Sequence, residues 1–294
     1  MSKKENKRTV HAGVIAQNEA IFRCPLCSSP MRMVGLQSLI CSQRHCFDLS
    51  RQGYINLLPR PLETKYDKRM FEARRMLCGE GLFEPLHAAV SDTILKRLGS
   101  GNAQARILDA GCGEGSHLSG IRDNIVRNAG RPPLTVGLDI SRDGIGAATA
   151  YANAIWCVGD IAACPFAGGQ FGFILNMLSP ANYAEFRRLM TADGMVIKVI
   201  PERDYLKELR GALYGGLPMR TFANDRTLQL FRENFRQTDA KRVRYRFPLD
   251  KQLLEPLLRM TPLSWRVTEE RLQQVLAMSL PEITIDLMIL TGEK

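Results

Sequence analysis

Leu108-Asp109-Ala110-Gly111-Cys112-Gly113-Glu114-Gly115 decides how the chain folds. The apolar run Arg106-Ile107-Leu108 enters it as a strand, and Ser116 to Arg127 leaves it as a helix. Strand, glycine turn and helix N-terminus together let backbone N–H groups come close to a ligand, because glycine carries no Cβ and accepts positive φ. The spacing narrows the ligand. A dinucleotide loop needs G-x-G-x-x-G, and counted from Gly111 the third glycine position holds Ser116. What stands here is D-x-G-x-G-x-G, with the acid two residues ahead of the first glycine. Taken alone, the loop also suits a tight turn in another doubly wound domain.

Working outward, Leu134 to Asp139 reads as a buried strand ending in an acid, placed to accept from two ribose hydroxyls. Gly130-Arg131-Pro132-Pro133 lengthens the connection before it. A third strand, Ile155–Val158, ends in Gly159-Asp160-Ile161, and a fourth, Phe171–Leu175, ends in Asn176 to Ala181. Each strand carries its polar residues at its C-terminal end, where open parallel sheets bind ligands. Helices are expected over Ser116–Arg127, Arg142–Tyr151, Ala181–Met190, Glu202–Leu213, Met219–Phe235 and Leu253–Met260. A fifth strand, Met195–Ile200, follows the Asp193-Gly194 turn. Val243, Tyr245 and Phe247 alternate with Arg242, Arg244 and Arg246, a strand whose basic face is either solvated or part of an RNA surface. Glu282–Leu290 closes the set. Strands alternating with helices predict an α/β fold. The glycine loop and the acid at Asp139 resemble class I S-adenosylmethionine-dependent methyltransferases. That resemblance implies a Rossmann-like, mainly parallel seven-stranded sheet with an antiparallel last strand. It also implies a ligand whose charged amine would meet Asp109 or Gly111.

The chain has 294 residues and a formal charge of +10. Residues 1–80 hold 14 Lys/Arg against 7 Asp/Glu, so the excess lies mainly at the N-terminal end and suggests a polyanion partner such as nucleic acid. A merely soluble, slightly basic surface would look the same. No apolar run approaches the ~18 residues of a membrane span, and the N-terminal basic stretch lacks the apolar core of a secretory signal. A cytoplasmic protein is expected, with residues 1–20 as a mobile basic tail.

Eight cysteines form no obvious disulfide framework. Cys24 and Cys27, then Cys41 and His45, stand as C-x2-C, thirteen residues, C-x3-H. Two close pairs on two turns make the tetrahedral sulfur–nitrogen set that zinc prefers, closed and therefore structural. Cys46 competes with His45 for the fourth position. Residues 21–60 are read as this zinc-binding module, 61–100 as a basic helical connector with Asp67 as N-cap, and 101–294 as the catalytic domain.

Cys24-Pro25-Leu26-Cys27, Cys41 to Asp48 (C-S-Q-R-H-C-F-D) and Gly53-Tyr54-Ile55-Asn56-Leu57-Leu58, followed by the D-x-G-C-G-E-G loop, resemble the large-subunit rRNA guanine-N1 methyltransferases of the RlmA type. Ser179 to Arg188, Ile197–Pro201 and Met260-Thr261-Pro262-Leu263 are similar to the Gram-positive, tylosin-resistance-like branch. The resemblance runs from Phe22 to near the end of the chain. It implies methyl transfer from S-adenosylmethionine to N1 of a guanine in a hairpin loop of 23S rRNA. Resemblance and position together imply a cofactor set of Phe83, Asp109, Gly111, Gly113, Gly115, His117, Leu118, Asp139, Asp160, Ile161, Asn176 and Tyr205. Lys65, Lys68, Arg69 and Arg75 are candidates for RNA phosphates, and equally for a solvated helix face. The proton acceptor is unassigned and a homodimer stays open. A small-molecule (quinone-like) methyltransferase and a non-enzymatic zinc-dependent RNA-binding factor are the alternatives. If the zinc module is a separate recognition arm, deleting residues 1–60 should abolish RNA binding and spare cofactor binding.

Overall fold

The computed structural model describes residues 7–62, 66–99, 105–152, 154–215 and 224–294. The first element contradicts the expectation of a mobile tail. Lys7–Gln17 forms helix α1, with His11, Ala12 and Ile15 buried. Its sequence is only weakly amphipathic, so packing holds it. Both ring nitrogens of His11 lie against backbone carbonyls, Nδ1 at 3.1 Å from Ala154 O and Nε2 at 3.2 Å from Thr149 O. A short helix lacking a strong pattern owes its order to such tertiary contacts.

Three short strands follow: β1 (Met31–Val34), β2 (Ser38–Cys41) and β3 (Cys46–Asp48), an antiparallel sheet in the order β1-β2-β3. Next comes β4 (Ile55–Asn56), which leaves that small sheet and joins the large one. Helix α2 (Lys68–Gly79) starts at Asp67, whose side chain accepts from Met70 N at 2.8 Å, the cap expected from sequence. Its buried face is Met70, Phe71, Ala73 and Leu77. Helix α3 (Glu84–Leu98) has Pro85 in its first turn and ends at Gly99, φ +53°. The chain then alternates: β5 (Arg106–Ala110), α4 (Ser116–Ala129), β6 (Leu134–Asp139), α5 (Arg142–Ala148), β7 (Ile155–Val158), β8 (Phe171–Met177), α6 (Tyr183–Leu189), β9 (Met190–Pro201), α7 (Lys207–Tyr214), α8 (Asp225–Asn234), β10 (Arg236–Pro248), α9 (Lys251–Met260), α10 (Glu269–Ala277) and β11 (Glu282–Glu293).

The large sheet runs β10-β11-β9-β8-β5-β6-β7-β4. All pairings are parallel except those of β11, which is antiparallel to both β9 and β10. This is the class I methyltransferase sheet with one addition: an eighth strand, β4, from the segment assigned to the zinc module. Ile55 and Asn56 pair with Cys157 and Val158, and Leu57 N donates to Val158 O at 2.8 Å. The expected border at residue 60 is thus not a structural border. Phe22 bridges to Phe166, and one apolar core joins Phe22, Met31 and Leu39 of the zinc module to Leu138, Ile155 and Phe171 of the sheet. Strand order reverses beside β5, so the crevice lies beyond the ends of β5 and β8.

Three element starts depart most from expectation. Strand β9 starts at Met190, running through the Asp193-Gly194 pair taken for a turn. Helix α7 starts at Lys207 because Leu206, φ +53°, breaks the helix expected from Glu202. The helix expected from Met219 begins at Asp225; residues 216–223 lie outside the described residues. No helix among the described residues is long and apolar enough to cross a membrane.

Candidate active site and zinc centre

The glycine loop leaves β5 with Gly111, Gly113 and Gly115 at φ +88°, +56° and +81°. None of the three has free space for a side chain, and a Cβ on Gly111 would collide with Ser179 Oγ. A Cβ on Gly115 would stand 2.5 Å from Cη2 of Trp156, and one on Gly113 would stand 3.0 Å from Arg74 Nη1 and 3.4 Å from Phe71 Cε1. Trp156 therefore forms the floor of the loop, and α2 covers it with Phe71 and Arg74. Asp139, at the end of β6, holds the loop in place: Oδ2 accepts from Gly113 N at 2.8 Å, and Oδ1 accepts from Ser141 N at 2.8 Å.

Asp109 is fully buried, and neither of its oxygens has a hydrogen-bond partner among the described residues. Burial, reinforced by the nearby Asp139 and Glu114 carboxylates, pushes its pKa well above the usual carboxylate range, and the Arg74 guanidinium opposes that shift. Glu114, also buried, is raised by the same desolvation, with Arg74 Nη1 at 3.8 Å from its Oε2. Buried acids facing a single arginine are held toward the neutral form and ionise fully only against a cation brought to them. The ammonium and sulfonium of S-adenosylmethionine supply such a cation, so the residues fit that cofactor. Asp160 lies at the adjacent strand end, where Gly159 N donates to Asp139 O and Asp160 Oδ1 accepts from Ala162 N, each within 2.9 Å. Ile161 follows it, half-buried, and Leu118 is buried on α4.

His117 does not stand alone in the first turn of α4. Its Nδ1 lies 2.9 Å from His87 Nε2 on α3, and its ring meets Phe83 at 4.8 Å between centroids. Burial drives both histidines toward the neutral form, His87 down to about 4 and His117 well below its ordinary value. A neutral pair can share one N–H between them. Tyr205 is buried, with its phenol pushed up by desolvation.

At the end of β8, the two hydrogens of Asn176 Nδ2 are shared among three acceptors, Ala110 O (2.9 Å), Pro180 O (2.8 Å) and Ser179 Oγ (2.7 Å). Its Oδ1 accepts from Lys198 Nζ at 2.5 Å, and Lys198 also donates to Ser179 O at 3.1 Å. Leu178 adopts φ +53°, so this loop is held in a conformation a leucine rarely takes. Burial lowers Lys198 to about 8.

In the zinc centre, His45 Nδ1 lies 3.4 Å from Cys24 Sγ and 3.5 Å from Cys41 Sγ, and the Cys27 and Cys41 sulfurs are 3.6 Å apart. With Zn–S about 2.3 Å and Zn–N about 2.0 Å, a tetrahedron has edges of about 3.8 Å between sulfurs and about 3.5 Å from sulfur to nitrogen. These three separations match such edges, and all four ligand atoms lie within 4.8 Å of one another. Cys46 is excluded as a ligand: it is exposed, and its Sγ contacts Asp48 Oδ1 at 3.6 Å. Hydrogen bonds to Ser29 hold the Cys27 thiol down at about 6, which favours the thiolate a metal requires.

The family model described as "RlmA, N-terminal", a zinc ribbon, matches residues 22–65. A Bacillus subtilis protein provisionally named a 23S rRNA (guanine-N(1)-)-methyltransferase is 44% identical over 278 residues, covering 94% of this chain and 98% of its own. The 23S rRNA (guanine(748)-N(1))-methyltransferase of Streptomyces fradiae is 32% identical over 259 residues, covering 87% and 90%. The chain belongs to the 23S rRNA (guanine-N1)-methyltransferase family. A solved Anabaena variabilis structure, described as a methyltransferase from an antibiotic biosynthesis pathway, superimposes with a TM-score of 0.50 at 13% identity, over 70% of this chain and 97% of its own; that likeness bears on the fold alone.

In this family member the expected RNA contacts are scattered. Lys65 lies outside the described residues. Lys68 is exposed and pairs with Glu72 at 3.7 Å, Arg69 is exposed, and Arg75 lies over the Tyr151 ring at 5.3 Å. The basic face of β10 is not an open cationic strip: Arg242 pairs with Asp286, Arg244 with Asp204, and Arg246 with Glu282, all at 2.6–2.8 Å. Sequence reading missed Phe71, Arg74, His87 and Lys198. The first three read as ordinary helix positions and Lys198 as one polar residue in an apolar strand. That last feature, a lysine inside Val196-Ile197-Lys198-Val199, was the signal available.

Proposed function

We propose that this protein transfers the methyl group of S-adenosylmethionine to N1 of a guanine exposed in a hairpin loop of 23S rRNA. The observation that carries the reading is the fully buried, unpartnered Asp109 at the crevice of a methyltransferase sheet that is continuous with a zinc ribbon. When bound, the cofactor supplies a methyl group already activated on a sulfonium. The chain's own task is to bind, align and exclude water. Asp109 takes the ammonium of the cofactor, and Arg74, with a quarter of its side chain exposed, is the cation available for its carboxylate. Asp139 keeps a second lone pair on each oxygen for the ribose hydroxyls while its first pairs hold Gly113 and Ser141. Phe83, Leu118, Asp160, Ile161 and Tyr205 line the rest, and the neutral His87–His117 pair fixes the Phe83 ring. Guanine N1 carries a proton that must leave as the methyl arrives. Asn176, pinned by Lys198, holds the Ser179-Pro180 turn, and that turn forms the rim against which the base edge is set.

A guanine within a helix cannot reach the site; one splayed from a loop can. The zinc ribbon shares a core with the sheet, which argues for an RNA held against one continuous surface. The test is methylation of a 23S rRNA hairpin transcript with labelled cofactor, mapped by primer-extension stops. A stop at one loop guanine is expected; label confined to a base-paired region, or none, defeats the hairpin reading.

A further inference from the structure

The chain has two tryptophans and treats them differently. Trp156 is 1% exposed beneath the glycine loop, whereas Trp265 is 45% exposed in the 3-10 turn Pro262–Arg266 that follows α9. Tyr66, 38% exposed, sits immediately before the N-cap of α2, with its ring centroid 5.7 Å from that of Trp265. The Tyr66 ring also meets Phe71, at 6.4 Å between centroids. Phe71 is buried, and its edge lies against the loop: Cε1 is 3.4 Å from where a Cβ on Gly113 would stand, and Cζ 2.9 Å from one on Gly144. Trp265, Tyr66 and Phe71 thus form a row of rings leading from solvent to the cofactor loop.

Two neighbouring exposed rings make a larger apolar patch than either alone, and contiguous patches rimmed by polar residues mark interaction sites. Here the neighbours choose the partner. After Tyr66 come Asp67, whose carboxylate caps α2, and then Lys68 and Arg69; Arg266 follows Trp265, and these three cations are exposed, with Lys68 shared with Glu72. Rings interleaved with cations suit unpaired nucleic acid, whose bases stack and whose phosphates pair. An apolar protein partner would not call for the cations.

We propose that Tyr66 and Trp265 form a stacking platform for an unpaired RNA base flanking the target guanine. This deepens the methyltransferase reading and rests on it. The platform orients the loop so that the next nucleotide enters the crevice. Base–aromatic stacking of this kind changes affinity by about five- to hundredfold on alanine substitution.

The test is a titration of the full chain with a 23S rRNA hairpin transcript, read by tryptophan fluorescence and by anisotropy of labelled RNA. Wild type is expected to show quenching, since the exposed Trp265 reports and the buried Trp156 does not. Trp265→Ala should lose most of the quench and bind RNA about tenfold or more weakly. Tyr66→Ala should weaken binding as well, and Trp265→Phe should restore most of the affinity. Affinity for S-adenosylhomocysteine, measured on each variant, should stay at the wild-type value and shows that the variants are folded. The proposal is overturned if Trp265→Ala binds RNA within twofold of wild type while wild type methylates the transcript. It is equally overturned if that variant changes only the oligomeric state in light scattering, which would assign the rings to a subunit contact. If wild type itself methylates no RNA, the underlying reading fails and takes the platform with it.

Discussion

Replacing Asp139 with asparagine tests the glycine loop at the atom that holds it. The carboxylate accepts from Gly113 N with one oxygen and from Ser141 N with the other, both at 2.8 Å. An asparagine can offer its carbonyl to one of these amides. Its NH2 then faces the other N–H, donor against donor. Ribose hydroxyls could adapt, since they both donate and accept; the backbone amides cannot. The loss is therefore one hydrogen bond to a charged acceptor, worth about 1.5–3 kcal/mol, divided between folding and cofactor binding. Were it expressed wholly in binding, Asp139→Asn would weaken S-adenosylhomocysteine by about ten- to hundredfold. Were it expressed in folding, the melting temperature would fall by several degrees. Calorimetric titration and a thermal melt on the same sample read both. A dissociation constant within twofold of wild type together with an unchanged melt would refute the view that this carboxylate organises the loop.

Other consequences follow from the same geometry. Asp109 has a folded-state pKa raised by burial, so its contribution to stability is full below the ordinary carboxylate pKa and is lost as pH rises through the raised value. Cofactor binding, which favours the ionised form, should therefore release a proton and tighten with pH; titration in two buffers of different ionisation enthalpy checks this, and Asp109→Asn should abolish the pH dependence while weakening binding. Lys198→Met leaves Asn176 Oδ1 and Ser179 O without their donor, at about 1–3 kcal/mol for each unsatisfied group; turnover should fall about tenfold or more with S-adenosylhomocysteine affinity nearly unchanged, and an unaltered turnover number would remove the lysine from the account. Metal analysis should find one zinc per chain, and chelation should lower the melt of the whole protein in one transition, because β4 ties the ribbon to the sheet. For the same reason deletion of residues 1–60 is expected to give an insoluble chain with the β7 edge exposed, not a cofactor-binding remnant.

What was legible in the sequence was local. The glycine loop, the acids at Asp139 and Asp160, the cap at Asp67 and the two cysteine–histidine pairs are patterns of near neighbours, and each lies on the element expected. What escaped depends on residues far apart in the chain. Ile55–Asn56 is too short to show a period, and only Cys157 and Val158 make it a strand. Helix α1 has little pattern of its own and is held by carbonyls at Thr149 and Ala154. The arginines of β10 read as a basic face because Asp204, Glu282 and Asp286, which neutralise them, come from other segments. Arg74 looks like its neighbours Arg69 and Arg75, yet it alone faces the buried acids, a difference set by helical phase against the loop.

The most direct measurement of the central claim is nucleoside mass spectrometry on unmodified 23S rRNA incubated with the purified, zinc-loaded chain and isotopically labelled S-adenosylmethionine. The account predicts labelled 1-methylguanosine, stoichiometric at a single site. Label in any other nucleoside, or no label in RNA although the cofactor binds, would contradict it.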